Sequence, residues 1–201
     1  METRKEYTME NNGASETVKV NISGLVGILF DRFVDMSSDQ LPPEQKLYLN
    51  SNNELIFPSE NIYSFMFGEK PGGCAVRFEG KQWKQYKMTG MSFITISPEF
   101  IPFTRNGKPI TFGKFVNGVD EESGVRVLHH KANIAKGRLV IPSPKARPVL
   151  ETPWELSFDV TIFKNHLIDV QKIKNWFVRG GIEVSLGTYR PRFGRFVVSF
   201  E

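Results

Sequence analysis

Alternating apolar and polar positions mark the two best-defined strands of the chain. From Thr17 onward, Val18, Val20 and Ile22 alternate with Lys19 and Asn21. Across Trp154 to Phe163, Leu156, Phe158, Val160 and Ile162 alternate with Glu155, Ser157, Asp159 and Thr161. A period of two sends one set of side chains to a core and the other to solvent. A helical period follows the second strand. Val170, Ile173 and Phe177 recur at i, i+3 and i+7 behind Asp169, a capping residue type, and Gly180-Gly181 is expected to end the helix. Phe196 to Phe200 reads as a closing strand.

The middle of the chain is less regular. The run from Leu25 to Met36 is apolar and reads as a strand extension followed by a turn or short helix, broken by Leu41-Pro42-Pro43. Residues 48–57 suit a hairpin, because Asn50 to Asn53 tolerate the backbone angles of a turn. Pro58 ends that strand, and Ser59 is the expected N-cap of a short helix with Ile62, Phe65 and Met66 on one face, stopped by Gly68. Ala75–Phe78 and Ser92–Ile96 carry strand formers. Residues 104–124 read as a polar inserted loop or hairpin, and two short strands, Val125–Leu128 and Leu139–Ile141, follow with Pro142, Pro144 and Pro148 stiffening the exit. The order of elements predicts an α+β fold: a ferredoxin-like (RRM-like) split βαβ sheet over 17–201, with a β-rich arm inserted at about 100–150. Residues 1–16 are polar and read as a flexible lead-in.

Composition supports a folded domain and removes several function classes. Hydrophobic residues make up 40% of 201, including 17 Phe and 3 Trp, enough for a sizeable core. The single cysteine, Cys74, excludes a disulfide framework and a cysteine-based zinc site, and points to a reducing compartment, the cytoplasm. Cys74 sits between Gly73 and Ala75 and reads as a small buried residue. No apolar run reaches the length of a membrane span or a signal peptide, so no membrane partner is expected. There is no P-loop, Rossmann glycine pattern or nucleophile elbow, hence no expected cofactor. His129 and His130 are adjacent and point apart on a strand, and His166 is isolated. Asp31 and Asp35 could share a helical face as a metal pair, but no third ligand stands near them. The chain reads as a non-enzyme.

Net charge is only +4, so its distribution matters more than its size. Between Ser123 and Leu150 there is no acid, while Arg126, Lys131, Lys136, Arg138, Lys145 and Arg147 stand there with His129 and His130. Cations gathered this way bind phosphate by releasing condensed counterions. A second acid-free stretch, Val184 to Ser199, holds Tyr189, Arg190, Arg192, Phe193 and Arg195 between Gly187 and Gly194. Arginine takes phosphate bidentately, aromatic rings stack on bases, and glycine lets a backbone approach a ligand. Phe196 begins the last strand and reads as core. The candidate nucleic-acid-binding residues are therefore Arg190, Arg192, Arg195, Tyr189, Phe193, Arg126, Lys131, Lys136, Arg138, Lys145, Arg147 and His130. A third stretch, Lys81 to Lys87, interleaves basic and aromatic residues, but Trp83 and Tyr86 at i, i+3 equally suit a buried helix edge.

Three segments together resemble the RAMP superfamily, the RRM-like proteins of CRISPR effector complexes. Val18-Lys19-Val20-Asn21-Ile22-Ser23-Gly24-Leu25 followed by Leu29-Phe30 is similar to the family's opening strand. Leu55 to Phe65 resembles its strand ending in Ile-Pro-Gly-Ser-Ser before a helix, with Ser59 here in place of the glycine. Gly181 to Phe196 resembles its glycine-rich loop, which packs against bound RNA, though with fewer glycines. The resemblance implies single-stranded RNA as ligand, guide RNA in particular, with copies of the chain and other effector subunits as partners. Length and the single domain are similar to the backbone subunit that polymerises along guide RNA. Residues 100–150 would then be a thumb-like arm that touches RNA and the next copy. Two alternatives remain open on the sequence: a CRISPR-RNA-processing endoribonuclease using His129 or His130 as base, and a viral structural or assembly protein.

Overall fold

β1 (Ser15–Gly24) lies between β11 (Glu155–Phe163) and β12 (Phe196–Phe200), and β4 (Ile94–Ser97) adds to the far side of β11. The computed structural model describes residues 15–32, 41–70, 72–136 and 139–201, with backbone alone at 132–136 and 139–143. Neighbouring strands in the order β12-β1-β11-β4 are all antiparallel, with Val20 opposite both Phe158 and Phe200 and Val160 opposite Ile96. Short strands β6 (Thr104–Arg105) and β7 (Lys108–Pro109) extend this sheet from the start of β11.

The alternation in the sequence sorts the two faces as expected. Val18, Val20, Ile22, Leu156, Phe158, Val160 and Ile162 are all buried. The opposite face is polar and hydrogen-bonded to itself. Thr17 and Thr161 pair through their hydroxyls at 2.8 Å, Ser157 donates to Asn21 Oδ1 at 2.7 Å, and Asn21 Nδ2 donates to Glu201 at 2.9 Å.

Helices α1 (Ser59–Phe67), α2 (Cys74–Phe78), α3 (Trp83–Phe93) and α4 (Val170–Glu183) supply the side chains that join the buried face of the sheet in one core. Asp169 caps α4 as expected, its carboxylate accepting from Lys172 N–H at 2.7 Å. Phe177 of α4 meets Phe65 at 5.2 Å and Phe158 at 5.8 Å, ring to ring. Gly180-Gly181 does not end this helix, which continues to Glu183. A Cβ on Gly180 would lie 2.6 Å from Cys74 Sγ, and one on Gly181 would lie 2.5 Å from the Phe196 carbonyl. The pair lets α4 settle onto α1, α2 and β12. That packing outweighs the roughly 1 kcal/mol propensity cost of each glycine.

Two other expectations change. Ala75–Phe78 forms α2 rather than a strand, because Cys74 and Ala75 are fully buried small residues tucked beside α1 and α4. Ser59 opens α1 but does not cap it. Pro58 holds the N-cap position, and the Ser59 N–H donates to Glu99 O at 2.8 Å. The hairpin over 48–57 turns where expected, with Asn50 Oδ1 accepting from the Asn52 and Glu54 N–H groups. It leads into β3 (Ile56–Pro58), which pairs with β5 (Phe100–Pro102).

Beyond β7 the chain builds a second sheet. β9 (Val125–Lys136) and β10 (Leu139–Leu150) form a ribbon far longer than the two short strands read from the sequence. At its base β10 takes β2 (Ile28–Leu29), and β9 takes β8 (Val119–Asp120). Pro142, Pro144 and Pro148 stand within β10 instead of beyond it. They share with Ala146 the backbone positions that face away from β9. There the Ala146 carbonyl accepts from Lys46 Nζ and the Pro148 carbonyl from the Phe30 N–H, both at 2.9 Å. A proline at such a position removes no hydrogen bond from the ribbon. Among the described residues no helix is long and apolar enough to cross a membrane.

Candidate nucleic-acid interface

Strand geometry sorts the predicted cations of 124–149. His130 lies opposite Lys145, Leu128 opposite Arg147 and Arg126 opposite Val149. Since alternate residues share a face, Arg126, His130, Lys145 and Arg147 stand on one side of the ribbon. His129 and Lys131 stand on the other and are exposed.

The first side is clasped to the body of the protein. Arg147 Nη2 pairs with Asp31 at 2.5 Å, and the buried Lys46 reaches the same carboxylate at 3.9 Å. Arg147 Nη1 lies 2.9 Å from His130 Nε2. A guanidinium only donates, so Nε2 accepts and the neutral imidazole carries its proton on Nδ1. Desolvation of the ring, and after it the Arg147 charge, lowers the His130 pKa below its usual 6.5. Lys145 is buried. Arg126 is half-exposed and pairs with Glu151, the first acid after the basic stretch. Lys131 therefore keeps an exposed charge, while Arg126 and Arg147 spend theirs partly or wholly inside the fold. Arg138 and the Lys136 side chain lie outside the described residues.

The second predicted stretch, 184–195, is a loop that closes over this clasp. Gly187 and Gly194 adopt φ of 76° and 71°. A Cβ on Gly187 would sit 2.7 Å from the Leu29 carbonyl, and one on Gly194 would collide with the Leu186 carbonyl. The close approach these glycines permit is thus to the chain's own backbone, not to a ligand. Thr188 N–H donates to Leu29 O at 3.0 Å, Gly194 N–H to Gly27 O at 2.9 Å and Leu25 N–H to Arg195 O at 2.8 Å. The loop is pinned to the segment between β1 and β2.

That pinning brings the two stretches together. Tyr189 stacks on His130 with centroids 5.5 Å apart, and Phe193 stacks on Tyr189 at 6.1 Å. Arg192 and Arg195 are exposed. Arg190 is turned inward. Its Nη1 donates to the Ser185 carbonyl at 3.4 Å, and burial lowers the pKa of its guanidinium. The result is an aromatic row with exposed cations on its loop, while the exposed Lys131 stands on the other face of the ribbon. The third stretch, 81–87, is a helix edge: Tyr86 is buried 5.9 Å from Trp176, and Lys87 pairs with Glu69 at 2.6 Å.

No protein-family model matches the chain, and no curated protein sequence matches it significantly. Among solved structures, a chain in the cryo-EM structure of the Type III-B Cmr-beta bound to cognate target RNA has the same fold, with a TM-score of 0.59 at 12% identity. The match covers 94% of this chain and 60% of that one, so the protein spans about three fifths of its neighbour's length.

Asp31 and Lys46 are the residues that sequence reasoning missed. Asp31, weighed as half of a metal pair, is instead the counter-charge of Arg147 and Lys46. Asp35 lies outside the described residues. Nothing near Lys46 in sequence signals its role, because its hydrogen-bond partner, Ala146, is 100 residues away. The open face of the central sheet offers no stacking platform at its centre: Thr17, Lys19, Asn21, Ser157, Asp159 and Thr161 occupy it, and Lys19 faces Asp159 across the strands.

Proposed function

We propose that the protein binds the backbone of single-stranded RNA without cleaving it, across the Gly187–Gly194 loop and the β9–β10 ribbon. The observation that carries this reading is the His130–Tyr189 stack. It joins two acid-free segments that are far apart in sequence, leaves Arg192 and Arg195 exposed on the loop that carries the rings, and leaves Lys131 exposed on the opposite face of the same ribbon. Cations that track phosphates beside rings that take bases are the usual apparatus for single strands. Phosphate contacts carry little base information, so sequence preference should be weak.

The reading extends to the family. Strand order β12-β1-β11-β4, with α1–α3 before β4 and α4 before β12, supports a ferredoxin-like split βαβ arrangement, and the segment between β4 and β11 supports an inserted arm. The RAMP-like motifs and the Cmr-beta neighbour, itself bound to target RNA, support a subunit of a CRISPR-type ribonucleoprotein. Guide RNA, copies of the chain and other effector subunits would be its partners. The engagement of His130 Nε2 by Arg147 argues against that ring as the base of an endoribonuclease.

Filter binding of labelled single-stranded RNA across a salt series tests the proposal. Wild type should show a steep fall in affinity with salt. The Arg192→Ala/Arg195→Ala double variant should lower the slope by about 1.4, at about 0.7 per lost phosphate contact on a single strand. A wild-type protein that fails to bind at low salt sinks the proposal and turns attention to an assembly role.

A further inference from the structure

The ribbon has a second side. At its base this side is buried through Val125 and Leu150, and it emerges into solvent at His129, Lys131 and Pro144. The register sets His129 opposite Ala146 and Lys131 opposite Pro144. These four residues, with His130 and Lys145, line a depression of about 360 Å3. Ala146 is its short side chain, and its backbone is held in place by the Lys46 hydrogen bond at 2.9 Å. His129 and Pro144 are diagonal neighbours on the ribbon, about 7 Å apart by strand geometry. That diagonal, beside the Ala146 methyl, is where a planar ring could enter the depression.

We infer that this depression is a nucleobase site. One unpaired base of a bound strand lies on Ala146, between the His129 imidazole and the Pro144 ring. The Lys131 ammonium takes the adjoining phosphate. The inference rests on the RNA-binding reading and adds to it a base contact on the face of the ribbon opposite Tyr189. Ring walls, an apolar floor and one cation at the rim favour a base in a single strand, since every base has a face to stack. The acid-free composition of residues 124–149 leaves no carboxylate on the ribbon to repel the phosphate. His130 and Lys145 point to the other face, so filling the depression leaves the clasp to Asp31 intact.

The test uses single-stranded RNA carrying 4-thiouridine, crosslinked by light and mapped by peptide mass spectrometry. Wild type should crosslink within residues 129–131. Ala146→Leu fills the depression and His129→Ala removes one wall. Each should bind roughly tenfold more weakly, the size of one lost base stack, with an unchanged salt slope and without that crosslink. His129 is exposed, so its variant keeps the test valid if Ala146→Leu fails to fold. Crosslinks confined to residues 189–195, with both variants binding like wild type, overturn the base site and leave RNA binding standing. Absence of salt-dependent binding by wild type overturns both.

Discussion

His130 of the ribbon and Tyr189 of the terminal loop are stacked, their ring centroids 5.5 Å apart and their planes inclined by 32°. Tyr189 holds φ at 58°, a left-handed conformation that a bulky residue adopts only when its surroundings impose it. The Thr188–Leu29 hydrogen bond and the Phe193 ring on the other side supply that constraint. The stack thus ties the orientation of the ribbon to the conformation of the loop. Replacing Tyr189 by Ala should weaken RNA binding about tenfold by removing a stacking ring. It should also raise amide exchange at Leu128–His130, because the loop no longer rests on β9. Hydrogen-exchange mass spectrometry on free protein reads the second effect independently of RNA.

The cations differ in what they hold. Arg147 is mostly buried against Asp31 and His130, so Arg147→Ala leaves Asp31 with only the longer Lys46 contact, removes the donor to His130, and should cost about 2 kcal/mol of stability, read as a lower urea midpoint. Arg192→Ala and Arg195→Ala remove exposed charges and should leave that midpoint within about 0.5 kcal/mol of wild type while lowering the salt slope of RNA binding. A stable Arg147→Ala protein with a reduced slope would place Arg147 among the phosphate contacts.

Those differences explain how much the sequence could disclose. The alternations at Val18–Ile22 and Leu156–Ile162, and the periodic face of Val170–Phe177, are local patterns, and each element formed where it was expected. The acid-free runs were also visible as composition. Which cations face solvent was not, because Asp31 and Glu151, the carboxylates that pair with Arg147 and Arg126, lie outside the run and meet it only in the folded chain. The glycines misled for a related reason. Gly180, Gly187 and Gly194 each read as a local stop or a ligand cradle, while their partners, Cys74, Leu29 and Leu186, are set by tertiary packing. α2 was read as a strand, from the strand formers of Ala75–Phe78. Five residues give no period, and its helical state depends on the burial of Cys74 and Ala75.

Stability should depend on the protonation of His130. Its folded pKa is depressed below 6.5, by desolvation first and by Arg147 second, so the unfolded chain binds the proton more readily. The imidazole therefore contributes fully above pH 6.5, and that contribution falls away as pH drops from 6.5 toward the lower folded value. His130→Phe keeps a ring against Tyr189 and removes the titration. Urea midpoints measured from pH 7.5 to pH 5 should fall more steeply in wild type than in His130→Phe. Parallel curves for the two proteins would show that the ring titrates alike in both states.

Gly194 and Gly180 should separate loop order from core stability. At Gly194 a φ of 71° is strained for any L side chain, and an added Cβ would meet the Leu186 carbonyl, a backbone atom that cannot swing aside. The chain can respond by releasing the loop, since its anchors there are hydrogen bonds to Gly27 and Leu25 rather than core side chains. Gly194→Ala should therefore abolish the Tyr189 stack and most RNA binding at a modest cost, on the order of 2 kcal/mol. Gly180 has ordinary helical geometry, but its Cβ would press on Cys74 Sγ and the Phe65 ring, both fully buried. Gly180→Ala should overpack the α1–α2–α4 contact and cost about 1–3 kcal/mol. Its salt slope for RNA should match wild type wherever the protein remains folded. Thermal melts and filter binding on the two variants decide the matter. If Gly194→Ala binds RNA as wild type does, the loop conformation is not what presents Arg192 and Arg195.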